Sequence, residues 1–334
     1  VSDRGPAIEE ALAGVVRRAL PGVRDVRDVR RLSGGANQET WAFDAVGDAE
    51  TLPLVLRRTP GGRSRAGFGT GIALATEARV IGRAGAAGVP VPGVRYVLDA
   101  SDGLGEGYVM DRIAGETIAR KILRDAEFAA VRPRLARQCG EILARLHATP
   151  LADLAELPRS PARAQLDLYR GLYDGYDEPH PAFEVAFRWL GERAPDAAPA
   201  TLVHGDFRNG NLLVDSAGVR AVLDWEMAHA GDPMEDLGWI CVNSWRFGEV
   251  DKPVGGFGAR ADLFAGYEAA GGGRVDPERV RFWEVMGSLK WGIMCMMMYS
   301  FFAGGLDRSV ERAAIGRRAS EAEIDLLVLL DPES

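Results

Sequence analysis

Apolar positions recur along the chain with two different periods, and the change of period divides it. Residues 7–20 (AIEEALAGVVRRAL) carry helical spacing and stop at Pro21-Gly22. Short strand-like runs follow at 26–32, 39–45, 52–57, 93–98 and 107–110, each bounded by turn residues. One helical stretch, 74–86, sits among them and ends before Gly88-Val89-Pro90. Strands with a single helix predict a small α+β unit. After Gly115 the pattern turns helical: a long amphipathic helix over 125–147, then Pro- and Ala-rich helices and loops over 150–200. A brief return to strand at 201–225 is followed by helices over 233–330. The expected division is a β-rich unit at 1–111 and a larger, mainly helical unit at 112–334.

Composition sharpens this. The 334 residues are 47% hydrophobic and 26% charged, the balance of a chain that folds around a core. The formal charge of −8 gives no basic footprint for nucleic acid. It is unevenly placed: residues 1–112 hold 15 basic and 14 acidic side chains, and the remainder holds 25 and 34. Only Lys121, Lys252 and Lys290 are lysines; the other 37 basic residues are arginines, so the first 120 residues must use arginine wherever chemistry needs a cation. Cys139, Cys241 and Cys295 lie far apart without CxxC spacing, which fits a reducing, cytoplasmic setting better than a disulfide framework or a zinc site. No leader pattern is visible at the start, and the most apolar stretch, 285–302, is interrupted by Lys290. That stretch reads as a buried helix, and no membrane partner is expected.

The chemistry concentrates in His204-Gly205-Asp206-Phe207-Arg208-Asn209-Gly210-Asn211, followed by two apolar runs ending at Asp224-Trp225. Asp206 and Asn211 lie five apart across a Gly-containing loop that can aim both side chains at one point. A turn at Ser216-Ala217-Gly218 returns the chain, which brings Asp224 near Asn211. Oxygen-bearing side chains meeting there suit Mg²⁺, which is held by one or two carboxylates together with substrate phosphates. Asp206 is then left to accept a proton from a hydroxyl.

This string resembles that of the aminoglycoside phosphotransferase family, relatives of choline kinases with a protein-kinase-like fold: HGD, five positions from Asp to Asn, an apolar strand, then Asp before an aromatic residue. The resemblance implies a two-lobed α+β protein-kinase-like fold with a small β-rich N-lobe and a larger helical C-lobe. It implies ATP (or GTP) as phosphoryl donor, Asp206 as the catalytic base, and Asn211 and Asp224 as ligands of Mg²⁺. Leu32, Ser33, Gly34 and Gly35 look like the hairpin that covers the phosphates, although the GxGxxG pattern of protein kinases is absent. Arg57 stands where kinases end a strand with the phosphate-gripping lysine; a guanidinium can grip two phosphate oxygens, and a surface charge at a strand end would look the same. Glu77 is the candidate partner that holds Arg57. Residues 107–113 resemble the inter-lobe hinge, with adenine against the main chain between Met110 and Arg112 and with Leu32, Val55 and Leu213 as apolar walls. Arg208, two residues after the catalytic Asp, is expected to neutralise charge on the transferring phosphoryl group; an arginine that points at solvent or pairs with Asp206 is the alternative.

Gly231-Asp232-Pro233-Met234-Glu235 reads as a helix start, with Asp232 as N-cap and Glu235 completing a capping box; Asp236 is expected to brace the catalytic loop. His204 is expected to orient that loop, and His147 and His229 to pack. The partners implied are a nucleoside triphosphate and a small hydroxyl-bearing substrate. The acidic second unit is either a solvated surface or a field that attracts a polycationic aminoglycoside, whereas the Met- and aromatic-rich 282–302, if it lines the cleft, would favour a hydroxyacyl-CoA or another lipophilic alcohol. Two further readings are a protein kinase, opposed by the lack of Ala-Pro-Glu after Asp224, and a nucleotide-binding module without catalysis.

Overall fold

The structure, a computed structural model, describes residues 5–32, 38–48, 50–59, 71–196, 199–306 and 309–331. The first helix, α1 (Gly5–Ala19), leads into strands β1 (Val23–Arg31), β2 (Glu39–Gly47) and β3 (Thr51–Arg58). Helix α2 (Leu74–Ala86) and strands β4 (Val94–Val97) and β5 (Gly107–Asp111) follow. Among the described residues the five strands form one antiparallel sheet in the order β1-β2-β3-β5-β4. The strands start and stop within a few residues of the pattern in the sequence, and α2 has the expected bounds.

Two-residue alternation along β3 decides which side chains reach the site. Leu54 and Leu56 point to the face covered by α1, where they are buried with Leu12, Val16, Trp41, Phe43 and Val109. Val55 and Arg57 therefore point to the other face. Arg58 falls on the α1 side and is buried there, with its guanidinium donating to Glu39 at 2.9 and 3.0 Å and to the Leu104 carbonyl at 3.1 Å. Helix α2 packs on the Arg57 side through a stripe of Leu74, Ala78, Ile81 and Ala84, and Glu77 lies within that stripe.

Beyond Asp111 come helices α3 (Ala119–Arg124), α4 (Arg132–His147), α5 (Ala162–Asp174) and α6 (Pro181–Arg193). The helix expected over 125–147 is shorter than its pattern: a separate single turn over Ala126–Phe128 precedes it, and α4 opens with Pro133 in its first turn. Short strands β6 (Thr201–Val203), β7 (Leu212–Val214), β8 (Val219–Val222) and β9 (His229–Gly231) pair as β6 with β9 and β7 with β8. β9 was not legible in the sequence, because three residues are too few to show a period.

Helices α7 (Met234–Trp239), α8 (Arg260–Ala269), α9 (Pro277–Ala303), α10 (Val310–Gly316) and α11 (Ala319–Leu330) complete the described chain. α9 is long and apolar enough to cross a membrane, but most of its apolar stretch is buried inside the molecule against α6, α7, α10 and α11. Its start is fixed by Asp276, whose carboxylate accepts from the Glu278 and Arg279 amides, with Pro277 in the first helical position.

Candidate active site

The site forms where the β7–β8 hairpin and the loop before it meet the Arg57 face of the sheet. Leu212 pairs with Val222, and the Leu223 amide donates to the Asn211 carbonyl at 2.9 Å, so the backbones leading to Asn211 and Asp224 run side by side. Asp224 adopts φ +67°, a left-handed conformation that a residue with a Cβ rarely holds, and among non-glycine residues Asp and Asn tolerate it best. Such an outlier at a polar loop end is consistent with a functional constraint.

The loop carrying Asp206 is held from beneath. Asp236, fully buried, accepts from the His204 amide at 2.9 Å and the Gly205 amide at 3.0 Å, and His147 Nε2 lies 3.2 Å from its Oδ2. Burial alone would raise the Asp236 carboxyl; the hydrogen bond and charge of His147, with His204 added, hold it below the usual carboxylate range. Gly205 turns the chain at φ +78°, where a Cβ would lie 2.5 Å from the Met227 carbonyl oxygen. His204 orients the loop: its Nε2 donates to the Leu223 carbonyl at 3.1 Å, and its Nδ1 accepts from the Asp206 amide at 3.1 Å. Burial pushes the His204 imidazole down, against the raising pull of Asp236, Asp206 and Asp224, which fits the neutral form with one donor and one acceptor.

Asp206 gathers three donors. Its Oδ1 accepts from Trp239 Nε1 at 2.8 Å and Arg208 Nε at 3.1 Å, and its Oδ2 accepts from Asn211 Nδ2 at 2.6 Å. Arg208 thus pairs with Asp206, the alternative to the phosphoryl contact expected from the sequence, and its guanidinium also lies 4.4 Å from the centre of the Trp245 ring. Asn209 secures the loop's far side by donating to the Gly255 carbonyl at 2.7 Å.

Arg57 is 11% exposed at its side chain and reaches three carboxylates. Its Nη2 donates to Asp224 Oδ1 at 2.7 Å and Glu226 Oε2 at 3.3 Å, and its Nε forms an ion pair with Glu77 at 3.3 Å. Burial alone would lower the guanidinium; the carboxylates of Glu77, Asp224 and Glu226 outweigh it and fix it as a cation. Burial pushes the Glu77 carboxyl up, against Arg57. Three carboxylates against one guanidinium leave an excess of negative charge that suits a divalent cation, and the Asp224 and Asn211 side chains offer the oxygen donors Mg²⁺ prefers. Among the described residues no group of three His, Cys, Asp or Glu is placed to hold a metal, so any Mg²⁺ here would draw on Asn and on ligand oxygens.

The structure therefore brings two groups of predicted residues together: Arg57, Glu77 and Asp224, and Asp206, Arg208 and Asn211. Val55 and Leu213 are buried, Leu213 beneath Gly115. Met110 is half-buried and pairs with Val55 across the sheet. Leu32 is exposed at 36%, at the end of β1. Ser33, Gly34 and Gly35 lie outside the described residues. The Arg112 amide donates to the Pro53 carbonyl at 2.9 Å and its guanidinium pairs with Asp44 at 2.5 Å, so a base at this hinge would use main-chain groups other than that amide.

The expected capping box at Asp232 and Glu235 does not form. Asp232 accepts from the Met234 amide at 3.0 Å and pairs with Arg279, whereas Glu235 turns inward to His229 at 3.0 Å and Gln165 at 2.6 Å, drawn by buried polar partners. His147 and His229 are therefore members of polar networks and not simply packed rings. Sequence reasoning missed Glu226, Trp239 and Lys290. Lys290 carried a signal, a charge inside an apolar helix; Trp239, in an ordinary helical run, carried none.

A model of the phosphotransferase enzyme family, APH, matches residues 28–283. Acyl-CoA dehydrogenase family member 11 of Gallus gallus is 32% identical over 238 residues, which cover 66% of this chain and 29% of that protein. The chain spans less than a third of the length of the curated relatives it matches. Its fold is similar to that of a putative aminoglycoside phosphotransferase from Ralstonia eutropha, at TM-score 0.74 and 23% identity over 96% of this chain and 97% of that one. It is also similar to a thermostable mutant of aminoglycoside phosphotransferase APH(4)-Ia solved with AMP-PNP and hygromycin B, at TM-score 0.62 and 18% identity over 97% of each chain.

Proposed function

The chain belongs to the APH phosphotransferase enzyme family, and from that premise we propose that it moves the γ-phosphoryl group of ATP to a hydroxyl of a small molecule. The observation that carries this reading is the convergence on Asp206 of Asn211, Arg208 and Trp239, beside an Arg57–Asp224 pair at the sheet. Asp206 has one carboxylate fixed by three donors at 2.6–3.1 Å, an arrangement that can orient an acceptor hydroxyl and take its proton. Arg57 would bind the α- and β-phosphates and Arg208 the transferring group, each exchanging a carboxylate partner for phosphate oxygens. Asn211 and Asp224 would hold Mg²⁺, which supplies charge neutralisation on the phosphates when bound. Val55, Met110 and Leu213 are proposed to flank the base. GTP is the alternative donor.

For the acceptor, the similarity to acyl-CoA dehydrogenase family members favours a hydroxyacyl-CoA over an aminoglycoside. A protein-kinase role is disfavoured because the nine residues between Asp224 and α7 include β9 and leave no room for an activation segment. The test is ADP release with ATP or GTP against hydroxyacyl-CoAs, aminoglycosides and macrolides. Asp206→Ala should lower the stimulated rate by about 10²–10⁴-fold while calorimetry still detects ATP binding. Full activity in that variant would remove Asp206 as the base, and absence of stimulation by any hydroxyl compound would favour a non-catalytic nucleotide-binding module.

A further inference from the structure

Lys290 makes no direct hydrogen bond to the Asp206 carboxylate, but it stands against the groups that hold that carboxylate. It lies in the middle of α9, 4% exposed, and is the least exposed cation among the described residues. In a chain that uses arginine at 37 of 40 basic positions, this place keeps lysine. Its Nζ donates to the Gly205 carbonyl at 3.2 Å and sits 4.6 Å from the centre of the Trp239 ring, whose Nε1 donates to Asp206. It thus touches both supports of Asp206: the peptide that precedes it and the indole that binds its Oδ1. An ammonium tip is compact enough to stand between a carbonyl and a ring face where a planar guanidinium fork would need more room.

We propose that Lys290, with Trp239, is a positioning residue for Asp206, clamping the Gly205–Asp206 peptide and the Trp239 indole so that the carboxylate keeps its aim. The cation is sustained in place. Burial alone would disfavour it, but Glu235 and Asp236 of α7 and Asp206 itself outweigh burial and hold it charged, with the Tyr169 phenol of α5 beside it. His229 of β9 also faces it. The clamp joins the long apolar helix to the catalytic loop, so the 282–302 segment acts on the site from behind as well as packing.

This inference rests on the reading of Asp206 as the base, and basal MgATP hydrolysis, with water as acceptor, tests both without the natural substrate. The variants are Lys290→Met, Lys290→Gln, Trp239→Phe and Asp206→Asn, each checked for folding by thermal unfolding. Trp239→Phe keeps an aromatic face and removes only the N–H. Lys290→Gln keeps a donor for Gly205 without the charge. The expected result is a fall in kcat of about tenfold or more for Lys290→Met and Trp239→Phe, since small misplacements of a reacting group are costly. The Kd for ATP should stay within about threefold, Lys290→Gln should recover part of the rate, and the Lys290→Met/Trp239→Phe pair should be less than multiplicative. If Lys290→Met does not fold, Lys290→Gln and Trp239→Phe decide. Folded Lys290 and Trp239 variants with wild-type kcat, or with ATP affinity falling as far as kcat, overturn the proposal. An Asp206→Asn variant that hydrolyses MgATP normally overturns the reading of the base instead.

Discussion

Arg57 of β3 and Asp224, two residues beyond β8, are joined at 2.7 Å across 167 positions of sequence, so the sheet and the β7–β8 hairpin meet in one ion pair. The same guanidinium holds Glu77 of α2, which makes it the crossing point of three elements. In a lysine-free first 120 residues this cation had to be arginine, and the fork serves several carboxylates where an ammonium would serve them less well.

Arg57→Met should raise the Kd for ATP by about 10–100-fold, on the scale of a charge-assisted hydrogen bond. Arg57→Lys should recover part of that. Nucleotide titration calorimetry checks it, and an unchanged Kd in Arg57→Met would assign the residue to fold stability alone.

Asp224→Asn should be tolerated by the backbone, since Asn also accepts the left-handed φ of +67°. Its loss should appear as a higher Mg²⁺ requirement. Asp224→Val should lower thermal stability as well, because a β-branched residue is strained there. Equal stability of the two variants would contradict the backbone argument.

Asp236→Ala leaves the His204 and Gly205 amides buried without an acceptor. A loss of about 3 kcal/mol in unfolding free energy is expected, measurable by urea denaturation. Gly205→Ala should act on the same loop, since its Cβ would meet the Met227 carbonyl at 2.5 Å.

His229 gives a pH signature. Burial on its own lowers its imidazole, but Glu235, 3.0 Å away, and the Met227 carbonyl raise it above the ordinary 6.5. A raised folded-state value means stability that is fully present below about pH 6.5 and lost as pH rises through the folded value. The stability gap between wild type and His229→Gln should therefore narrow as pH rises. A gap that widens with pH would refute the pairing with Glu235.

The sequence by itself determined the alternation that puts Leu54 and Leu56 on one face of β3 and Arg57 on the other, the bounds of α2, and the spacing from Asp206 to Asn211. These are local facts, set by strand and helix periods and by a turn of fixed length. Tertiary structure decided what those residues meet. Glu235 fits a capping box in sequence but turns to His229, because a buried imidazole and a buried Gln165 amide are better partners than an exposed helix end. The Arg112 amide is taken by the Pro53 carbonyl of β3, and its side chain by Asp44 of β2. Trp239 and Lys290 reach Asp206 and Gly205 only because α7 and α9 pack beneath the loop that carries Asp206. Periodicity fixes which face a side chain takes; it holds no information about the element 30 to 170 positions away that will cover that face, and the chemistry of this site is made of such meetings.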